Sequence, residues 1–204
     1  MQSVNYFFIS MPDHAPILIL TALASELNAA AAPAGVQVLY CGVGKVNAAL
    51  HATQAILTHR PRAIINFGTA GKIDPLHDGL LEVAAVLQRD MDTTPLAPRG
   101  VTPLMDQVQQ PVRLESGYPG VLCGTGDSFV TAADDWLLEQ KVDLVDMELF
   151  AIARVCRHFG VPWRAFKFIT DGANDDAADD WQSRVHLGEE LFWRHLPHVL
   201  KQIG

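Results

Sequence analysis

The sequence predicts an α/β protein, a mostly parallel mixed central sheet flanked by helices. Short apolar, strand-like runs alternate with helix-period segments along the chain. Three of those runs also end in glycine-rich turns, Gly42-Val43-Gly44, Gly68-Thr69-Ala70-Gly71 and Gly124-Thr125-Gly126-Asp127. The 204 residues suit one domain, 1–204, long enough to bury about 70% of the unfolded surface.

Taken in order, Ile17–Leu20 reads as a short buried strand and Thr21–Ala31 as the helix after it, with the alanines 29–32 as its end before Pro33. Val36–Cys41 is a second strand, closed by the first glycine turn. Lys45–His59 is a helix with Val46, Ala49, Ile56 and Leu57 among its apolar positions. Ala63–Phe67 is a third strand, closed by the second glycine turn, and Leu81–Leu87 a fourth. From Arg89 to Pro119 the pattern dissolves into Pro, Gly, Thr and Gln, a long loop region of the kind that is often functional. Strand signals resume at Gly120–Cys123, followed by a helix over Ala132–Gln140 and a strand over Val142–Val145.

The segment Val145–Asp171 carries the most information. Glu148 opens a helix in which Ala151, Ile152, Val155, Cys156 and Phe159 recur at helical spacing, and Gly160 and Pro162 stop it. Trp163–Ile169 reads as a largely buried strand, with Thr170-Asp171-Gly172 where that strand must end. The terminal helix covers about Val185–Gln202, where Pro197 should kink it or end it early.

Bulk composition narrows the function classes. A hydrophobic fraction of 49% and a charged fraction of 19% describe an ordinary globule. The formal net charge of -8 argues against nucleic acid, whose phosphates demand a basic face. No run of like charges suggests an anionic-membrane footprint. The apolar Tyr6-Phe7-Phe8-Ile9 lacks a basic leader and meets Pro12, Asp13 and Pro16, so it is not expected to be a signal peptide. The run from Ile17 meets Glu26 too soon to span a bilayer. A cytoplasmic location is expected. Three cysteines, Cys41, Cys123 and Cys156, sit in apolar segments, as reduced core thiols do.

In open α/β sheets ligands bind beyond the carboxyl ends of strands, which is where Asp171 falls. Glu148 and Asp171 converging on one crevice suggest acid/base work on a neutral, hydroxyl-rich substrate. The glycine turns let backbone amides approach a ligand closely. None is a Walker loop or a GxGxxG fingerprint. Locally, Asp171 also reads as a loop cap, Glu148 as a first-turn acid complementing a helix dipole, and Glu26 as a solvated helix residue. His195 and His198 read as a solvated helix end, and no zinc or calcium ligand set is expected.

GVGKVNAAL, NFGTAG, TGDSFV, VDMELFAIA and ITD, in this order and spacing, resemble the nucleoside phosphorylase superfamily, and most closely its 5′-methylthioadenosine/S-adenosylhomocysteine nucleosidases. The resemblance runs from about Ile17 to the terminal helix. It implies a three-layer sandwich and hydrolysis of a purine nucleoside without metal or nucleotide cofactor, by a homodimer. By this likeness Asp171 is the general acid that protonates the purine at N7, for which it must hold a proton near neutral pH. Glu148 clamps the ribose hydroxyls with Met147 packed on the sugar, and lies close to charge developing on the ribose. Glu26 is the water-activating base. Thr69 helps position water, with the basic Lys167 behind it. Phe129 and Val130 match the segment that stacks on and reads the purine, and Val43 in the first glycine turn joins the substrate-binding set. Trp181 falls where the family has an aromatic at the 5′-substituent, and reads equally as a core or surface tryptophan.

A phosphorylase needs fixed cationic donors for phosphate. Where related hexameric phosphorylases carry an arginine before the glycine turn of the third strand, this chain has Asn66. Lys45 is a possible anion contact or an anchor of its own turn. Water is therefore the expected nucleophile, with phosphorolysis and a catalytically inactive nucleoside-binding homologue as the alternatives. Leu149 and Phe150 stand where the family carries small residues, which predicts a reshaped space near the ribose. The short segment between Asp92 and Gly120 puts the preference for methylthioadenosine in doubt.

Overall fold

The computed structural model describes residues 15–103, 110–172 and 184–203. Its strands are β1 (Ile17–Thr21), β2 (Val36–Tyr40), β3 (Ala63–Lys72), β4 (Leu80–Gln88), β5 (Leu114–Glu115), β6 (Val121–Thr125), β7 (Leu144–Asp146) and β8 (Trp163–Asp171). The helices are α1 (Lys45–His59), α2 (Asp135–Glu139), α3 (Leu149–Phe159) and α4 (Gly188–Ile203). The fold class is as predicted, with a mixed sheet between helices.

β1 is buried along its whole length, because its alternate side chains enter two different cores. Leu18 and Leu20 face α1 and α3, while Ile17 and Ile19 join Phe192, Leu196 and Val199 of α4 on the other side. A strand covered on both faces reads as a continuous apolar run rather than an alternating one. On the α4 side Phe67 and Phe192 stack with ring centroids 4.4 Å apart. These are the three layers.

β1 lies between β2 and β3, parallel to both. Beyond β3 the sheet closes on itself. β3 pairs with β8, β8 with β4, β4 with β6, β6 with β7, and β7 returns to β3. This closure corrects the expected end of the third strand. Gly68-Thr69-Ala70-Gly71 is not a turn but the continuation of β3, which β8 accompanies from Ile64 to Gly71. A register irregularity between Ala70 and Gly71 bends the strand, and Gly71 and Lys72 then pair antiparallel with β7.

The helix expected over Thr21–Ala31 is absent. The Glu26 carboxyl folds back onto the amides of Ala22 and Leu23, at 3.1 and 3.0 Å, so a side chain takes donors that a helical turn would need. Asn28 then caps a single 3₁₀ turn, Ala29–Ala31, by accepting from Ala30 N–H. Helix α1 has the predicted bounds, but its buried face is Ala48, Ala52, Ala55 and Ile56. Val46, Leu50 and Leu57 are exposed. Gly160 ends α3 at φ 68° as expected. Pro197 does not end α4, which continues to Ile203, because Leu196 and Val199 are held in the core on either side of it.

Candidate active site

A cavity of about 230 Å³ opens at the carboxyl ends of β1, β3, β7 and β8. Glu26, Val43, Thr69, Phe129, Val130, Met147, Glu148 and Asp171 all line it. Residues from segments far apart in the chain thus meet in one place. Lys167 lies fully buried behind this wall. Trp181 lies outside the described residues.

Glu26 is 4% exposed and reaches the cavity because the chain turns instead of continuing as a helix. Its Oε2 accepts from Thr21 Oγ1 and the amides of Ala22 and Leu23. Its Oε1 accepts from the Thr69 amide and hydroxyl, both at 2.9 Å. The carboxyl is thereby fixed against β3, and the solvated-helix alternative does not hold.

Glu148 stands at the start of α3 but makes no capping bond there. Its Oε1 instead accepts the Gly44 amide at 2.9 Å. Gly44 has φ 92° and Gly42 φ 75°, a left-handed region that side-chain-bearing residues rarely adopt, so this glycine turn is what aims an N–H at the acid. Burial, then the neighbouring Asp146 carboxylate, pushes Glu148 from 4.5 up to about 7, against the opposing pull of Lys167 and the Gly44 amide.

Asp171 is the last residue of β8, is buried, and accepts from the Thr170 hydroxyl at 2.9 Å. It lines the cavity.

Asp146, which sequence reasoning passed over, is the hub behind the site. Its Oδ2 lies 2.7 Å from Lys167 Nζ, and both side chains are sealed from solvent. Burial alone would raise the Asp146 carboxyl, but the ammonium outweighs it and holds it below the usual carboxylate range. Burial alone would lower Lys167, but Asp146 and Glu148 outweigh it and raise it. Asp146 also accepts the amides of Leu149 and Glu148. The acid that caps α3 is therefore Asp146, two residues before Glu148. An Asp just ahead of an apolar-periodic run was the available signal.

Arg89 lines the cavity as well. Its guanidinium donates to the carbonyls of Gly124, Gly126 and Ser128 and to the Ser128 hydroxyl, and so shapes the loop that presents Phe129 and Val130. Lys45 anchors its turn: its Nζ lies 2.6 Å from Asp90 Oδ1, and its amide donates to Asp127 Oδ1. Leu149 and Phe150, expected to reshape the space near the ribose, point into the core between α3 and the sheet and do not line the cavity. Cys41, Cys123 and Cys156 are free and buried. Burial, followed by the Glu148 carboxylate, pushes Cys41 up to about 12, which makes it a packing residue rather than a nucleophile. Asp74, His77 and Asp143 form the one cluster of metal-ligand type among the described residues, and none of the three lines the cavity.

Comparison with known proteins bears on this geometry. The phosphorylase superfamily matches residues 33–192. The 5′-methylthioadenosine/S-adenosylhomocysteine nucleosidase of Halalkalibacterium halodurans is 36% identical over 160 residues, which is 68% of each chain. Among solved structures, the nucleosidase of the same name from Helicobacter pylori superposes with a TM-score of 0.78 at 21% identity, covering 92% of this chain and 98% of that one. Futalosine hydrolase from the same organism gives 0.80 at 21% identity over 92% and 97%. At such identities these structures establish the shared fold, while the matched segment and the bacillar relative establish kinship: the chain belongs to the phosphorylase superfamily, on its methylthioadenosine/S-adenosylhomocysteine nucleosidase branch.

Proposed function

We propose that the chain hydrolyses the N-glycosidic bond of a purine nucleoside, 5′-methylthioadenosine or S-adenosylhomocysteine, and releases the free base. The observation that carries the proposal is that Glu26, Glu148 and Asp171, acids from three separate segments, line one cavity.

In this reaction the Asp171 carboxyl gives its proton to N7 of the purine as the bond between C1′ and N9 breaks and its electron pair leaves with the base. Glu26, with Thr69, orients a water and takes its proton as the remaining hydroxide joins C1′. Glu148 grips the ribose hydroxyls and Met147 packs on the sugar. Phe129 and Val130 contact the purine, and Val43 closes the side near Glu148. The carboxylates also stabilise the positive charge that develops on the ribose.

Water rather than phosphate is the nucleophile in this proposal. The only Lys or Arg among the described residues lining the cavity is Arg89, and it is engaged by the 124–128 loop. The nearby Lys167 is paired with Asp146. Asn66, in β3 just before Gly68, turns its amide to the Leu20 carbonyl.

The test is a panel of methylthioadenosine, S-adenosylhomocysteine, adenosine and inosine, each with and without phosphate, followed by liberated base and sugar. Free sugar at a rate indifferent to phosphate is expected; phosphate-dependent formation of a sugar 1-phosphate, or no base release at any enzyme concentration, would overturn the assignment.

A homodimer is part of the same proposal. Val46, Leu50 and Leu57 form an exposed stripe on one side of α1. Val43 and Phe129, which line the cavity, are themselves half exposed. An apolar surface of this kind marks an interaction site, and light scattering should give twice the chain mass. No helix among the described residues is long and apolar enough to cross a membrane. We place the enzyme in the cytoplasm, whose reducing conditions suit three buried free thiols.

A further inference from the structure

Asp146 gathers donors from four directions. Its Oδ1 accepts the Thr125 hydroxyl at 2.5 Å and the Cys123 thiol at 3.3 Å, both on β6. Its Oδ2 faces Lys167 Nζ of β8 at 2.7 Å and accepts the Leu149 amide at 2.9 Å and the Glu148 amide at 3.3 Å. The Thr125 hydroxyl in turn accepts the Phe150 amide at 2.9 Å. One carboxylate therefore joins β6, β7, β8 and the first turn of α3 at the point where the backbone delivers Glu148 to the cavity.

We propose that Asp146 is the positioning residue for Glu148, fixing where that acid sits and, together with Lys167, the field at its carboxyl. This deepens the nucleosidase reading and rests on it for the kinetic consequences only.

The fixing is geometric. Two consecutive amides, those of Glu148 and Leu149, are held by one oxygen whose own place is set by a buried ammonium. A charge-assisted bond of this kind is shorter and stronger than a neutral one, and a rigid support behind a functional group is what precise chemistry requires. The field is a balance. The groups that face Glu148 are Asp146 at the end of β7, Lys167 from β8, Glu26 after β1, Cys41 after β2 and, across the cavity, Asp171. Because Asp146 is the direct counter-ion of Lys167, the ammonium is not left to Glu148 alone. Remove the Asp146 charge, and Glu148 becomes the acid that must balance Lys167. Remove Lys167, and two carboxylates face each other without a cation.

The two changes therefore move Glu148 in opposite directions. The experiment labels the glutamate side-chain carboxyls isotopically, identifies the Glu148 resonance by its loss in Glu148→Gln, and follows it through pH by NMR. In Asp146→Asn the Glu148 titration should fall by about one pH unit or more, the size of a close like-charge effect. In Lys167→Met it should rise, and in Asp146→Glu, which restores the charge, it should stay near that of the native protein. If Asp146→Asn does not fold, the upward shift in Lys167→Met and its absence in Asp146→Glu still decide the matter. A resonance that stays put in Asp146→Asn and Lys167→Met, or moves the same way in both, overturns the proposal. Where base release is measurable, the inflection of kcat/KM that Glu148 controls should follow the same shifts. A native protein that releases no base would refute the nucleosidase reading and leave the titration result standing on its own.

Discussion

Replacing Glu148 by Gln should make the protein more stable, and only on the alkaline side. The folded chain holds the Glu148 proton up to about pH 7, whereas an unburied glutamate gives it up near 4.5. Between these values the native state binds more protons than the unfolded one, so stability falls as pH rises through the interval, and the full cost is present above pH 7. At 1.36 kcal/mol per pH unit the interval corresponds to a cost on the order of 3 kcal/mol. Glutamine has nearly the same shape, keeps a carbonyl oxygen for the Gly44 amide that Glu148 Oε1 accepts, and never ionises. In urea or thermal unfolding the variant should differ little from the native protein at pH 4.5. At pH 8 it should gain about 3 kcal/mol, equivalent to a rise in Tm of about 6–12 °C for a chain of this size. Every other titrating group is common to both proteins and cancels in the difference. A stability difference that is the same at pH 4.5 and pH 8, or a variant less stable at pH 8, would show that the native site does not hold Glu148 at the cost of its charge.

Two further outcomes are expected. Asp171→Asn keeps an acceptor for the Thr170 hydroxyl but has no acidic proton to deliver, so kcat for base release should fall by about 10²–10⁴ with nucleoside binding largely kept; equal turnover would remove Asp171 from the chemistry. Phe192→Ala empties the core between the sheet and α4, where Phe192 is fully buried and stacked on Phe67. It should cost about 3–5 kcal/mol in denaturant unfolding, and a loss under 1 kcal/mol would mean that α4 is not packed as described.

The parts of the fold that were legible in the sequence are those where local pattern and tertiary demand agree. The bounds of α1 follow from periodicity, and α3 stops at a glycine that the turn requires. The errors have one kind of cause. Thr21–Ala31 has the composition of a helix, but Glu26 uses its carboxyl on the amides of Ala22 and Leu23 and on Thr69 of a strand far away in sequence. Glycines 68 and 71 look like the end of a strand, yet β8 supplies ladder partners that carry the strand on. No local signal distinguishes a glycine that turns the chain from one that lets a strand bend inside a closed sheet. Val46 and Leu57 are conspicuous among the apolar positions of α1 but are exposed, and the alanines that do pack are less conspicuous.

The site divides along the same line. Asp171 and Glu148 could be placed from the ends of their own elements. Asp146 could not, because its importance lies in what it meets: Thr125, Cys123 and Lys167, each on a neighbouring strand.

These placements have a common electrostatic logic. Taking carboxylates out of water is costly unless each has donors or a counter-ion. Glu26 is satisfied by five donors and Asp146 by an ammonium, a hydroxyl, a thiol and two amides. Glu148 has the Gly44 amide and a share of Lys167, and its carboxyl is pushed up to about 7. A hydroxyl pair from a sugar would supply the donors it lacks, so binding such a group should lower the cost of its charge. Among the described residues the only Lys or Arg lining the cavity is Arg89, already held by the 124–128 loop, which makes the cavity a poor place for a phosphate dianion. The cost of charging Glu148 and the proposed use of water as nucleophile then follow from one arrangement, in which the buried Lys167 is paired with Asp146.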